Sequence, residues 1–412
     1  MNLFDKYPYD FTRSSSSYID QIVESNEYES LYLKYYNAIN AINKFIYNEF
    51  LKDFNSSSNE IPVVSDQKLF NLFLASVSLD RILSKHPKEK IQVEASNEEL
   101  NFNSRFVNLY AFLANKIGSP FEIIQKKSKN NLTHFDKFDN SSNDLILKLF
   151  VYDFNLIKYH LKKRLFKISP SYHILNYGEN LINREIKAEL YNSKIETYNI
   201  DKLINNIFHQ KTELDGLKFK KDIFLKKIND EFLNIRYLFE NELVLEIYVE
   251  ILKNEILNSL SILKEKKSLF RDAIQNVKIK NTKKIFLSNG LFGLKGILLY
   301  DALKFNGFNV ITSQHGLGAG ISKHIDYSRF NESYTSDVYF CYNNLTISQY
   351  KKFNPKTITK FKIVGGPKTS KKISNKFLNR SYLRTKMNLK GIQVLYLSGI
   401  FPVNTNKCFP TI

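Results

Sequence analysis

Apolar and polar positions along this chain follow two alternating periods. From Tyr18 to Leu51, Tyr28, Leu31, Tyr32, Tyr35, Ile39, Ile42 and Ile46 recur at helical spacing, which predicts one long or two shorter helices with tyrosines on the packing face. Residues 61–124 read as the opening of a parallel sheet. The pattern there is a short run at Ile61–Val64, a helix to about Leu83, a strand at Ile91–Ala95, a helix on Phe106, Leu109, Phe112 and Leu113, and a strand at Phe121–Ile124. Gly118 followed by Pro120 is the stop signal for the second of these helices.

Residues 126–142 are a polar connector, and a helix is expected from about Asp144 to Phe166. Tyr172–Leu175 can form a short strand whose end presents Asn176, Gly178, Glu179 and Asn180, ahead of a helix on Leu181, Ile182 and Ile186. Glu179, beside a flexible glycine, is a candidate substrate contact; a first-turn carboxylate there also suits the helix dipole. Residues 211–275 lack proline and contain only Gly216. Their stripes, Phe224, Ile228, Phe232, Ile235 and Leu238, then Leu252, Ile256, Leu260 and Leu263, predict core-facing helices.

Residues 284–320 hold seven of the chain's fourteen glycines. Ile285–Leu287 stops at Asn289-Gly290, a helical pattern follows on Leu294, Ile297, Leu298, Ala302 and Phe305, and a strand from Phe308 to Thr312 delivers Gln314-His315-Gly316. This is a strand, helix, strand unit with a polar, glycine-rich tip after each strand, where open α/β sheets bind ligands. Beyond it come strands at Asp337–Tyr342 and Phe361–Val364 around a helix from Asn343 or Asn344 to Phe353. The expected fold class is α/β, a Rossmann-like parallel sheet with substantial helical additions.

Composition changes this picture little. The chain has 412 residues, 43% of them apolar, as a globular protein requires. A net charge of +19 points to anionic partners: phosphorylated substrates, an acidic membrane surface or nucleic acid. Abundant Lys, Asn, Ile, Phe and Tyr with no Trp also looks like AT-rich coding. Cys341 and Cys408 lack metal-ligand spacing and cannot form a disulfide framework, so no metal is expected and a reducing, cytoplasmic setting fits. There is no apolar signal core and no uninterrupted span. Gly290, Gly293 and Gly296 are spaced GxxGxxG rather than GxGxxG, and no phosphate-loop, HExxH, CxxC or GxSxG motif occurs.

Four features carry a resemblance: Gln314-His315-Gly316 with Gly318 and Gly320, Glu332 in the next loop, Ser336-Asp337 opening a strand, and a strand ending in Val364-Gly365-Gly366-Pro367. Together they resemble the end of the N-terminal domain in GT-B-type transferases of bacterial surface and capsular polysaccharide assembly, in the Kdo-transferase-like and CDP-glycerol glycerophosphotransferase-like groups. The resemblance covers about a fifth of the chain. It implies two Rossmann-like domains facing a cleft, and transfer of a sugar or polyol phosphate from a nucleotide-activated donor to a glycan or lipid-linked acceptor. No cofactor is implied beyond the donor.

By this resemblance His315 is the catalytic candidate, as base toward an acceptor hydroxyl or as donor to phosphate. Asn289, Gly290, Gln314, Gly316, Gly318, Gly320, Glu332 and Glu179 are the substrate-binding candidates. Contact with the inner face of an anionic membrane is a further expectation, and no nucleic acid is expected. The alternatives are a nucleotide-sugar epimerase of the same fold and a basic nucleic-acid-binding module. The expected organisation is a disordered tail over 1–17, a GT-B-like acceptor domain over 18–367, a basic linker over 368–390, and over 391–412 the first strand of a second domain that is otherwise missing. As this short chain, the transferase is expected to be inactive.

Overall fold

The computed structural model describes residues 25–56, 63, 67–85, 87, 90–104, 107–125, 172–178, 186, 195–210, 221–277, 284–314, 333–353 and 357–364. Two parallel sheets and a set of helices share one hydrophobic core. The protein is therefore mixed α/β.

The larger sheet has six strands: β3 (Tyr172–Tyr177), β4 (Ile195–Asn199), β5 (Ile285–Asn289), β6 (Asn309–Ser313), β7 (Val338–Cys341) and β8 (Lys360–Ile363). Their spatial order is β4-β3-β5-β6-β7-β8, and every neighbouring pair is parallel. The inner strand β5 carries a short continuous buried run, Phe286, Leu287 and Ser288, as a strand covered on both faces requires. The edge strand β8 is mostly exposed and carries Lys360 and Lys362, charges that discourage pairing with another chain. From β5 onward each new strand is added on one side, whereas β4 lies on the other side of β3. The direction of winding thus reverses between β3 and β5.

The smaller sheet pairs β1 (Ile91–Ala95) with β2 (Phe121–Gln125) in parallel through a buried helix, α3 (Leu109–Ile117). Asn108 caps α3, accepting from the N–H groups of Tyr110 at 3.1 Å and Ala111 at 3.2 Å. The two strands expected at Ile91–Ala95 and Phe121–Ile124 do form a parallel sheet. Among the described residues β1 and β2 form a separate two-stranded sheet, joined to the rest only through the core. Of the strand expected at Ile61–Val64, only Val63 is described, as a buried bend.

Helices α1 (Ser25–Phe50), α2 (Gln67–Lys85) and α5 (Lys221–Leu233) gather around α6 (Glu242–Gln275). With 34 residues, α6 is about 50 Å long, enough to reach from this helical layer to the large sheet. Its N-terminal half enters an aromatic cluster, where Tyr248 lies 5.7 Å from Phe73 and 5.5 Å from Phe232. Its C-terminal half packs on α4 (Asp201–His209) and α7 (Gly293–Phe305). The tyrosine face of α1 is buried as expected, with Tyr32, Tyr35 and Tyr36 in the core.

Two buried carboxylates fix these joints. Asp80 on α2 accepts from the N–H groups of Glu240 and Asn241, both at 2.8 Å, at the start of α6. Burial raises its pKa, and the two N–H groups pull the other way. Asp301 on α7 receives Arg271 of α6 in a fork at 2.7 and 2.9 Å and the Asn55 N–H at 2.8 Å. A third helix, α8 (Asn344–Phe353), covers β7 through a Tyr339–Tyr350 pair, ring centroids 5.1 Å apart.

Neither β4 nor α4 is anticipated by the sequence pattern, although Ile195, Thr197 and the Ile204, Ile207, Phe208 spacing carry it. The helix expected at Asp144–Phe166 lies outside the described residues, as do the tail, the linker and residues 391–412. No described helix is long and apolar enough to cross a membrane.

Candidate functional site

Where winding reverses, the C-terminal ends of β3 and β5 lie side by side, the position at which open α/β sheets hold ligands. A cavity of about 470 Å³ occupies this place, lined by Tyr177, Gly178, Asp201, Asn205, Asn289, Gly290, Phe292, Lys295 and Gly296. Four elements build it: the end of β3, the start of α4, the end of β5 and the first turn of α7.

Local sequence explains the shape. Gly178 leaves β3 with φ +64, a conformation that costs a side-chain-bearing residue free energy, and a Cβ there would stand 2.5 Å from Asn289 Oδ1. The two loops can approach this closely only because position 178 is glycine. At Gly296 a Cβ would fall 2.6 Å from the Leu291 carbonyl carbon, so the turn from β5 into α7 closes only over glycine. Ser288 secures the floor by donating its hydroxyl to the Tyr177 carbonyl at 2.6 Å.

Asp201 is the anchor of the β3 side. Its carboxylate accepts from the Gly178 N–H at 2.8 Å and from Asn199 Nδ2 at 3.2 Å, and its own N–H donates to Asn199 Oδ1 at 2.7 Å. Beside it the Tyr177 phenol titrates above its usual range, chiefly through burial and secondarily through the negative charge of Asp201. Beneath the cavity floor, Asn176 is fully buried and its Oδ1 has no hydrogen-bond partner among the described residues.

The α7 side of the lining is positive. The first turn of α7 contains no acidic residue, and its N-cap, Phe292, supplies no side-chain cap. Lys295 on that turn donates to Asn205 Oδ1 at 2.8 Å and lies 4.9 Å above the Phe208 ring. The helix end and the ammonium therefore present the same sign to the crevice.

No family model, curated protein or solved structure matches this chain. The site must accordingly be read from its own chemistry. Asn289 and Gly290 line the crevice, as the pattern around them predicts. Gln314 is buried: its N–H donates to the Phe340 carbonyl at 2.9 Å, and its Oε1 accepts from the Tyr342 N–H at 3.0 Å. That places Gln314 as a tie between the ends of β6 and β7. Glu179, His315, Gly316, Gly318, Gly320 and Glu332 lie outside the described residues.

Ser336-Asp337 also has a structural place. Asp337 accepts from Val310 N–H at 2.8 Å, Lys304 at 2.7 Å and the Tyr300 hydroxyl at 2.9 Å, at the N-terminal end of β7 and away from the crevice. Ser336 bonds Thr312 through their hydroxyls, and its carbonyl accepts from the Thr359 hydroxyl at 2.8 Å. Sequence reasoning missed Tyr177, Asp201, Asn205, Phe292 and Lys295. The available signal was Asn199-Ile200-Asp201, a polar residue two before a first-turn acid, at the end of a β-branched and aromatic run. Among the described residues no cluster of three or more His, Cys, Asp or Glu side chains could hold a metal.

Proposed function

We propose that this chain is a GT-B-type glycosyltransferase of bacterial surface carbohydrate assembly, moving a sugar or polyol phosphate from a nucleotide-activated donor to a glycan acceptor. The observation that carries the reading is the polar crevice at the winding reversal of an all-parallel sheet, the place where α/β folds hold their ligands. Two aromatic side chains, two asparagines, a carboxylate and an ammonium converge there. This is a lining suited to a polyhydroxylated ligand with a charged group. The resemblance of residues 284–367 to such transferases supports the same reading and implies for His315 the role of base toward the acceptor hydroxyl or of hydrogen-bond donor to the donor's phosphate.

The test is to incubate the protein with a panel of nucleotide-activated sugars and polyols, with and without surface-glycan acceptor, and to measure released nucleotide and labelled acceptor together. Acceptor-dependent release that is lost in His315→Ala supports the transferase. Conversion of the donor to a stereoisomer without labelled acceptor replaces it with the epimerase. Since this chain alone is expected to be inactive, the refuting result is absence of both reactions together with no binding of any donor or acceptor in the panel.

A further inference from the structure

Some lysines in this structure meet a counterpart or the negative end of a helix. Lys267 is neutralised by Asp53 and Lys304 by Asp337, while Lys266 sits 2.6 Å from the Gln210 carbonyl at the negative end of α4. Lys295 differs. Its two contacts are the neutral amide oxygen of Asn205 and the face of Phe208, and they orient the ammonium without cancelling its charge. Asp201 is likewise held by neutral donors, the Gly178 N–H and the Asn199 amide. Both residues line one cavity, yet among the described residues no ion pair joins them.

A cation and an anion held in one cavity by neutral groups form a bipolar receptor, because neither charge is consumed by the fold. We propose that the crevice binds a phosphorylated sugar or polyol, its phosphate at Lys295 and its hydroxyls donating to Asp201. The acid-free first turn of α7 adds to the positive side. A carboxylate that already accepts two hydrogen bonds retains capacity for hydroxyl donors. Tyr177 and Phe292 supply apolar surface for the carbon face of such a ligand. The inference rests on the crevice being the ligand site of the proposed function, but not on any transfer step.

The experiment is calorimetric titration of the 412-residue chain with glucose 1-phosphate, glucose and inorganic phosphate, with no donor present. Glucose 1-phosphate should bind with a dissociation constant of about 1 mM or tighter, and glucose and phosphate each about tenfold more weakly or worse. Lys295→Gln should lose about tenfold in affinity or more, and Lys295→Arg should recover most of it. Asp201→Asn should weaken glucose 1-phosphate while leaving phosphate unchanged; thermal melts of each variant show whether it is folded.

Equal affinity for glucose, equal affinity for bare phosphate, an unchanged Lys295→Gln, or no binding at about 10 mM ligand would each overturn the proposal. Lys295-dependent binding of glucose 1-phosphate with neither transferase activity nor binding of any nucleotide-activated donor removes the proposed function alone. Transferase activity without Lys295-dependent binding removes this inference alone.

Discussion

Replacing Gly178 with alanine separates two costs that the structure places on one atom. At φ +64 a Cβ brings backbone strain of about 1–2 kcal/mol. The same Cβ would lie 2.5 Å from Asn289 Oδ1 and 3.1 Å from its Cγ, so the amide must retreat by about 1 Å to reach ordinary contact. Leaving its rotamer for that purpose costs a further ~0.5–1.5 kcal/mol. Gly178→Ala should therefore destabilise the protein by about 1.5–3.5 kcal/mol, the sum of those two contributions. Asn289→Ala alone should cost about 0.5 kcal/mol or less, since its amide accepts only a 3.3 Å contact from Ser288. In the double variant the steric part disappears and only the backbone part remains, a coupling of ~1 kcal/mol. Urea denaturation of the four proteins, with unchanged slope, measures it. Additive effects within about 0.3 kcal/mol, or a neutral Gly178→Ala, would show that the β3 and β5 loops do not meet as described.

Two further outcomes are expected. Phe232 is 1% exposed and packs edge-on against Tyr248, so Phe232→Ala should cost ~3–5 kcal/mol in a denaturation experiment while ligand affinity at the distant crevice is unchanged. A selective loss of affinity at unchanged stability would contradict its assignment to the core. Glu27 is held below its ordinary value of 4.5, first by its hydrogen bonds with Arg81 and then by that residue's charge. A lowered carboxylate pKa favours the folded state above the unfolded value, and that contribution is lost as pH falls through the folded one. The urea midpoint of Glu27→Gln should thus lie below the parent's at pH 7 and merge with it in acid; a gap that persists or widens in acid would contradict the pairing.

Local pattern alone determines most of the elements. The helical period of α1, the stripes of α5 and α6, and the strand-glycine-helix order from Ile285 to Phe305 are properties of short windows, because side-chain direction repeats every 3.6 or 2 residues whatever the rest of the chain does. Asn289 and Gly290 were legible as a strand tip for the same reason. Strand order is different, since it depends on which edges find each other across long separations. Whether β1 and β2 join the main sheet or stand apart, and which side of β3 receives β4, are decided by packing on α6 and the shared core. The crevice follows from that order. Asp201 and Lys295 are 94 positions apart in the chain, and as isolated letters they read as a first-turn acid and a surface lysine. Only the reversal of winding between β3 and β5 brings them into one cavity, where the Ser288 hydroxyl and the Asp201 carboxylate tie the strand ends together. Gln314 shows the converse: next to the most conspicuous motif in the sequence, it is committed by tertiary structure to joining two strands, because a buried amide must spend its hydrogen bonds on whatever backbone the fold sets beside it.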